Sequence, residues 1–172
     1  MAPKIGILAY GSLIDSPGFE IEEATTETVK GLETPFKVEY ARTSRGRKGA
    51  PTLVPYDAGA HVEARIFVVD LPEAEAANRL YRREINEVGS GKVYVRPKEE
   101  DPDKVFVESW KQLAGVDLVL YTRIGANIKN LSPAELPSLA VKSAKLLGDG
   151  RDGISYLINA KRNGIRTVLS DD

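Results

Sequence analysis

The chain has no cysteine and a single histidine. The first absence excludes disulfides, thiolate metal sites and a cysteine nucleophile. The second removes most metal-ligand sets and leaves His61 as the one base for any Ser-His-acid triad. Long apolar runs are also missing, since none approaches the ~18 residues needed to span a bilayer. Charge of one sign is missing too: the net charge is -1, which gives no global pull toward nucleic acid or an acidic membrane surface. The N-terminus carries one Lys and then a strand, unlike a signal peptide, so the cytoplasm is the expected location. What is present is ordinary for a globular protein: 172 residues, 42% hydrophobic and 28% charged, enough for one domain over 1–172 with a sizeable core.

Strands outnumber helices in the pattern. Apolar or alternating runs predict strands at Ile5–Ala9, Thr26–Val29, Phe36–Tyr40, Thr52–Pro55, His61–Leu71, Lys92–Arg96 and Asp117–Tyr121. Helices are expected over Pro72–Asn86, Lys104–Leu113, Ser132–Leu147 and Asp152–Asn163. The third has a capping box from Ser132 to Glu135, and Gly164 closes the last. The helices come late, which argues α+β around a mixed or closed sheet rather than a regular βαβ alternation. In a closed sheet the central strands would be Ile5–Ala9, Arg65–Val69 and Lys92–Arg96. Arg42–Ala50 reads as a basic loop and Lys98–Asp103 as an acidic one.

Several familiar motifs fail on inspection. Gly89-Ser90-Gly91-Lys92 resembles the end of a phosphate loop, but Asn86 and Val93 stand where Gly and Ser or Thr are required. Gly11-Ser12 lacks the second glycine of a hydrolase elbow. Asp149–Gly153 lacks the closing Glu of a calcium loop. His61 opens a strand with Glu63 on the same face, the pattern of a surface pair.

Two features remain. The first strand runs into Tyr10-Gly11-Ser12-Leu13, where backbone N–H groups lose their ladder partners and Gly11 leaves room for close approach. An ordinary turn would look the same. The second feature is Glu84. At about 100° per residue, Ala77, Leu80, Tyr81 and Val88 fall within about 60° of Glu84, while Arg79, Arg82 and Arg83 point elsewhere. A carboxylate on a core-facing stripe loses hydration, its pKa should rise, and it becomes suited to acid–base chemistry. A second reading of Glu84 is a carboxylate that reaches round to an Arg and holds the fold. Glu87, one turn on, is its nearest rival.

Together these segments resemble the gamma-glutamylcyclotransferase-like family, which includes the gamma-glutamylamine cyclotransferases. The order is similar: Tyr10–Leu13 after a strand, Ala41-Arg42, Gly49–Pro55, the strand Val62–Val69, a helix carrying Glu84, and Tyr94–Arg96. The resemblance covers roughly the first 125 residues. It implies a small closed mixed β-barrel flanked by helices, with barrel and pocket in 1–125 and a packed helical segment in 126–172. It implies release of 5-oxoproline from a small γ-glutamyl amine or peptide, without metal or cofactor. The substrate's α-amine attacks its own γ-carbonyl, Glu84 moves the protons, and Tyr10, Gly11, Ser12 and Leu13 bind the substrate. The stretch departs from the family pattern in one place: Tyr81 stands where an Asp is expected, and no Gly follows Glu84. Two other functions compete. One is a module of the same fold that binds a small anion without catalysis. The other is a phosphate or nucleic-acid contact through Arg42–Lys48, which the near-neutral net charge opposes.

Overall fold

Strand β1 (Ile5–Ala9) is buried along its whole length. A strand covered on both faces needs a continuous apolar run, and this one has it. It lies between two partners. β5 (Glu63–Val69) runs antiparallel in a register from Ile5 opposite Val69 to Ala9 opposite Arg65. β7 (Val116–Arg123) runs parallel, with Ile5 opposite Leu118 and Ile7 opposite Leu120. Gly6 is required there by packing: a Cβ would lie 2.4 Å from Ile66 Cγ2. The edges of this five-stranded mixed sheet are β2 (Thr25–Glu33), beside β5, and β6 (Phe106–Leu113), antiparallel to β7. β2 is largely exposed and rich in Thr, Glu and Lys, residues that suit an edge.

The computed structural model describes residues 2–44, 49–128, 132, 134, 137–141, 143 and 153–171. Over these the molecule is α+β with a mostly sheet core, and the strands fall into the five-stranded sheet and a two-stranded one. No described helix is long and apolar enough to cross a membrane. The chain divides into two compact units, Met1–Leu32 with Ala64–Ile124, and Glu33–Glu63 with Gly125–Asp172.

In the first unit, α1 (Phe19–Glu22) and α2 (Glu73–Glu84) accompany the large sheet. α2 turns fully buried Ala76 and Leu80 inward. Two expectations need correction here. Lys104–Leu113 is not a helix: Phe106–Leu113 is β6, paired with β7 from Phe106 opposite Arg123 to Leu113 opposite Val116. Phe106, Val107, Trp110 and Leu113 have spacings that suit a helix, but the neighbouring strand supplies the ladder that decides the matter. Lys92–Arg96 is not a central strand and has no ladder partner among the described residues. Side chains hold it instead. Asn78 Oδ1 accepts from Tyr94 N at 2.9 Å, and the Tyr94 hydroxyl accepts from Val107 N at 3.0 Å.

In the second unit, β3 (Val38–Ser44) and β4 (Ala50–Pro55) form an antiparallel pair with an irregularity between Tyr40 and Arg42. Residues 137–141 are helical, and α3 (Gly153–Arg162) and α4 (Val168–Asp171) follow. Arg42 belongs to β3 rather than to a basic loop, and its Nη1 donates to Gly125 O at 2.9 Å. Residues 45–48, much of the expected Ser132–Leu147 helix and residues 149–152 lie outside the described residues. Buried Glu39 caps α4: its carboxylate accepts from Leu169 N at 3.0 Å and from the Thr167 hydroxyl at 2.6 Å. His61 is exposed, with Nδ1 2.7 Å from Thr34 O.

Candidate active site

Where β1 stops, the chain enters a single 3-10 turn, Gly11–Leu13. Tyr10 precedes it in extended conformation, half-buried, and Gly11 takes φ 64°, which favours glycine over any residue with a Cβ. Gly11 and Leu13 are buried and Ser12 is half-buried. Ile14 N donates to Gly11 O at 3.3 Å and Ser16 N to Ser12 O at 3.0 Å. The N–H groups that open such a turn have no acceptor within it.

Glu84 is the last residue of α2 and continues the inward row that begins with Ala76 and Leu80, four residues apart. It is half-buried, and its carboxylate joins no hydrogen bond or ion pair among the described residues. The Arg-paired reading of Glu84 therefore has no partner to rest on among those residues. Glu87 does pair, with Lys92 Nζ at 3.2 Å, and both side chains face solvent.

The residue before Glu84 joins helix to turn. Arg83 Nη2 donates to Ser12 Oγ at 3.1 Å, and its Nε donates to Ser16 O at 3.0 Å. Thus Ser12 and the C-terminal turn of α2 are brought together, with Arg83 as the link. With Ser16, Gly18, Asn86 and Val88, Arg83 lines a cavity of about 340 Å³. A second cavity of about 520 Å³ has Tyr81, Ile85 and Val105 in its wall.

The helical wheel sets the α2 arginines away from the Glu84 row, and one of them is nonetheless buried. Arg82 is the most buried of them, and Glu20 of α1 is the reason. Its Nη2 and Nε reach Glu20 Oε1 and Oε2 at 2.7 and 3.0 Å, a two-pronged pair. Arg82 Nη1 also donates to Lys92 O at 2.8 Å, and Glu20 accepts from Gly89 N at 2.9 Å. The hydrogen bond from Arg82 holds the Glu20 carboxyl below its ordinary range against the opposing effect of burial, and the Arg82 guanidinium is raised in turn. Arg79 pairs with Glu75 at 3.1 Å and Glu23 at 3.2 Å, and donates to Glu20 O. This lattice fixes α1, α2 and residues 89–92, and so sets where Arg83 and Glu84 stand. No short motif advertises it, because Glu20 and Arg82 are 62 positions apart.

Chemically, the turn and Arg83 offer a hydroxyl, a guanidinium and the opening of a turn, while the carboxyl of Glu84 lines neither of these two cavities. Among the described residues no three His, Asp or Glu side chains converge as metal ligands would. No family model, curated protein or solved structure matches this chain.

Proposed function

We propose that the protein is a cyclotransferase that releases 5-oxoproline from a γ-glutamyl amine or peptide, its strands closing into a small barrel and its site working in the cytoplasm. The α-amine of the substrate attacks its own γ-carbonyl carbon. The new C–N bond closes the five-membered ring, and the bond to the leaving amine breaks. Glu84 takes the proton from the attacking nitrogen and delivers it to the departing one, so no water or co-reactant is consumed. Ring closure is intramolecular, so the protein's task is to fold the substrate and manage one proton. Tyr10, Gly11, Ser12 and Leu13 hold the substrate, with N–H groups of the turn facing developing negative charge.

One observation carries this reading. The Arg83–Ser12 hydrogen bond ties the turn to the helix end that bears a half-buried, unpaired Glu84. The test is to incubate the full chain with γ-glutamyl amines and γ-glutamyl dipeptides and to measure 5-oxoproline. Release from at least one is expected, and release from none overturns the reading. A second reading, ligand binding without turnover, draws on Tyr81. Where the family has an Asp, this ring packs at 5.3 Å against Tyr94. Saturable binding of a γ-glutamyl amine with no product would establish it.

A further inference from the structure

The cavity of about 520 Å³ lies apart from the Tyr10–Leu13 turn, and neither that turn nor Glu84 lines it. Its volume falls among those of small-molecule sites, about 300–1,000 Å³. Part of its wall is apolar and already in place. Tyr81 in the last turn of α2 and Ile85 just past it are four residues apart and supply one side. Half-buried Pro97 and Val105 continue the apolar lining. The Tyr81 ring packs at 5.3 Å, tilted, against Tyr94, and Tyr94 is itself tied to Asn78 and to Val107 N. An aromatic face held in this way needs no reordering to meet a second ring. The rest of the wall is charged, and most of that charge is committed. Arg96 lies 5.2 Å over the Phe106 ring and pairs with Glu108 at 2.9 Å. Lys104 stands 4.0 Å from Asp101. The ammonium of Lys98 has no hydrogen bond or ion pair among the described residues. Asp103 is the acid of the lining, and its charge opposes a ligand that brings two negative charges.

We propose that this cavity is a second binding site, for a small aromatic monocarboxylate. The ring of the ligand lies against Tyr81, Ile85, Pro97 and Val105, and its carboxylate pairs with the Lys98 ammonium. Lys104, in the same wall, adds attraction at longer range. The site goes beyond the cyclotransferase reading and does not depend on it. A γ-glutamyl group has no apolar body to match this wall, and an aromatic acid has no amine to close a ring.

The test titrates the full chain with 3-phenylpropanoate, followed by calorimetry and by amide NMR. A Kd of about 0.1–1 mM is expected for a ligand of this size, with the amides of Ile85, Val95 and Val105 among those that move most. The neutral 3-phenylpropanamide should bind about 5-fold more weakly, the worth of one exposed ion pair. In Lys98→Gln that difference should vanish, the acid falling to the level of the amide. Val95→Glu adds a negative charge to the wall and should weaken the acid more than the amide. Lys98 and Val95 are both exposed, so neither variant disturbs packing. The dianion 2-phenylethyl phosphate should bind no more tightly than the acid. No saturable binding up to about 10 mM overturns the proposal. So does equal affinity for acid and amide in the wild type, a difference that survives in Lys98→Gln, or tighter binding of the phosphate. Amide shifts gathered at residues 10–13 and 84 instead would place the ligand elsewhere and overturn it as well.

Discussion

Glu84 and Arg82 sit two positions apart on one helix, the first half-buried and the second buried, and illustrate opposite fates of a charge. Glu84 has no partner among the described residues, so Glu84→Gln removes a proton carrier without breaking a bond. Under the cyclotransferase reading, kcat should fall by about 10²–10⁴-fold, the usual worth of general acid–base help, while the melting temperature is not lowered. A matching loss of stability would mark the residue as structural. Arg82 is the reverse case. Arg82→Met strands Glu20, and breaking a buried pair of this kind costs about 3–5 kcal/mol. Urea unfolding should show it, and adding Glu20→Met should recover most of the loss, since two apolar groups leave no charge uncompensated. The sequence displayed the first case and concealed the second. The helical wheel placed Glu84 on the inward row because it depends only on local spacing. It set Arg82 off that row and was silent on its burial, because a wheel carries no information about a carboxylate on another helix. The partners of Arg83, 67 and 71 positions away, are equally invisible to a wheel.

At the scale of elements, β6 and β7 show how little a turn needs to reveal. Leu113 pairs with Val116 across the two residues Ala114 and Gly115, both with positive φ, 49° and 79°. This is the backbone of a tight hairpin turn, which Asn-Gly or Gly-Gly would announce and Ala-Gly does not. Ala114 pays for it, because an alanine in the left-handed region costs about 1–2 kcal/mol. Ala114→Asn should therefore stabilise the protein by about 1 kcal/mol and raise the melting temperature by about 2–4 °C in a thermal scan. An unchanged or lower value would mean that the hairpin closes otherwise. Lys92–Arg96 failed as a strand for a complementary reason. Its valines suit a sheet, but Val93 and Val95 are 62% and 79% exposed, and no strand among the described residues offers a ladder. Ile5–Ala9 and Glu73–Glu84 were legible because each carries its whole signal within its own span.

For the molecule as a whole, the carboxylates that hold elements together set its response to acid. Hydrogen bonds from Arg82 hold Glu20 below the ordinary 4.5; bonds from Asn78 and Arg79 do the same for Glu75. Burial pushes Glu108 up, yet Arg96 and Arg123 outweigh it and leave this carboxyl lowered as well. A group whose folded pKa is depressed stabilises the fold above its unfolded value and loses that contribution as pH falls through the folded value. Stability should be insensitive to these groups near neutrality and decline below about pH 4.5. In Glu20→Gln the decline should be shallower, and the gap from wild type should narrow as pH drops. Urea midpoints at pH 7 and pH 3.5 measure both effects, and a constant gap would exclude Glu20 from the acid response.

The position of β1 also governs how the chain reaches its native state. The strand sits third of five, and one of its two partners arrives only with residues 116–123; the bond from Lys4 N to Asp117, at 2.7 Å, closes a loop of 113 positions. Pairings over such distances are slow, because the entropy of closing the loop is lost before any ladder forms. During synthesis at about 5–20 residues per second, Ile5–Ala9 must wait several seconds for its parallel neighbour to be made. For that interval a fully apolar pentapeptide stands without its final cover, and the antiparallel partnership with β5 is its available shelter.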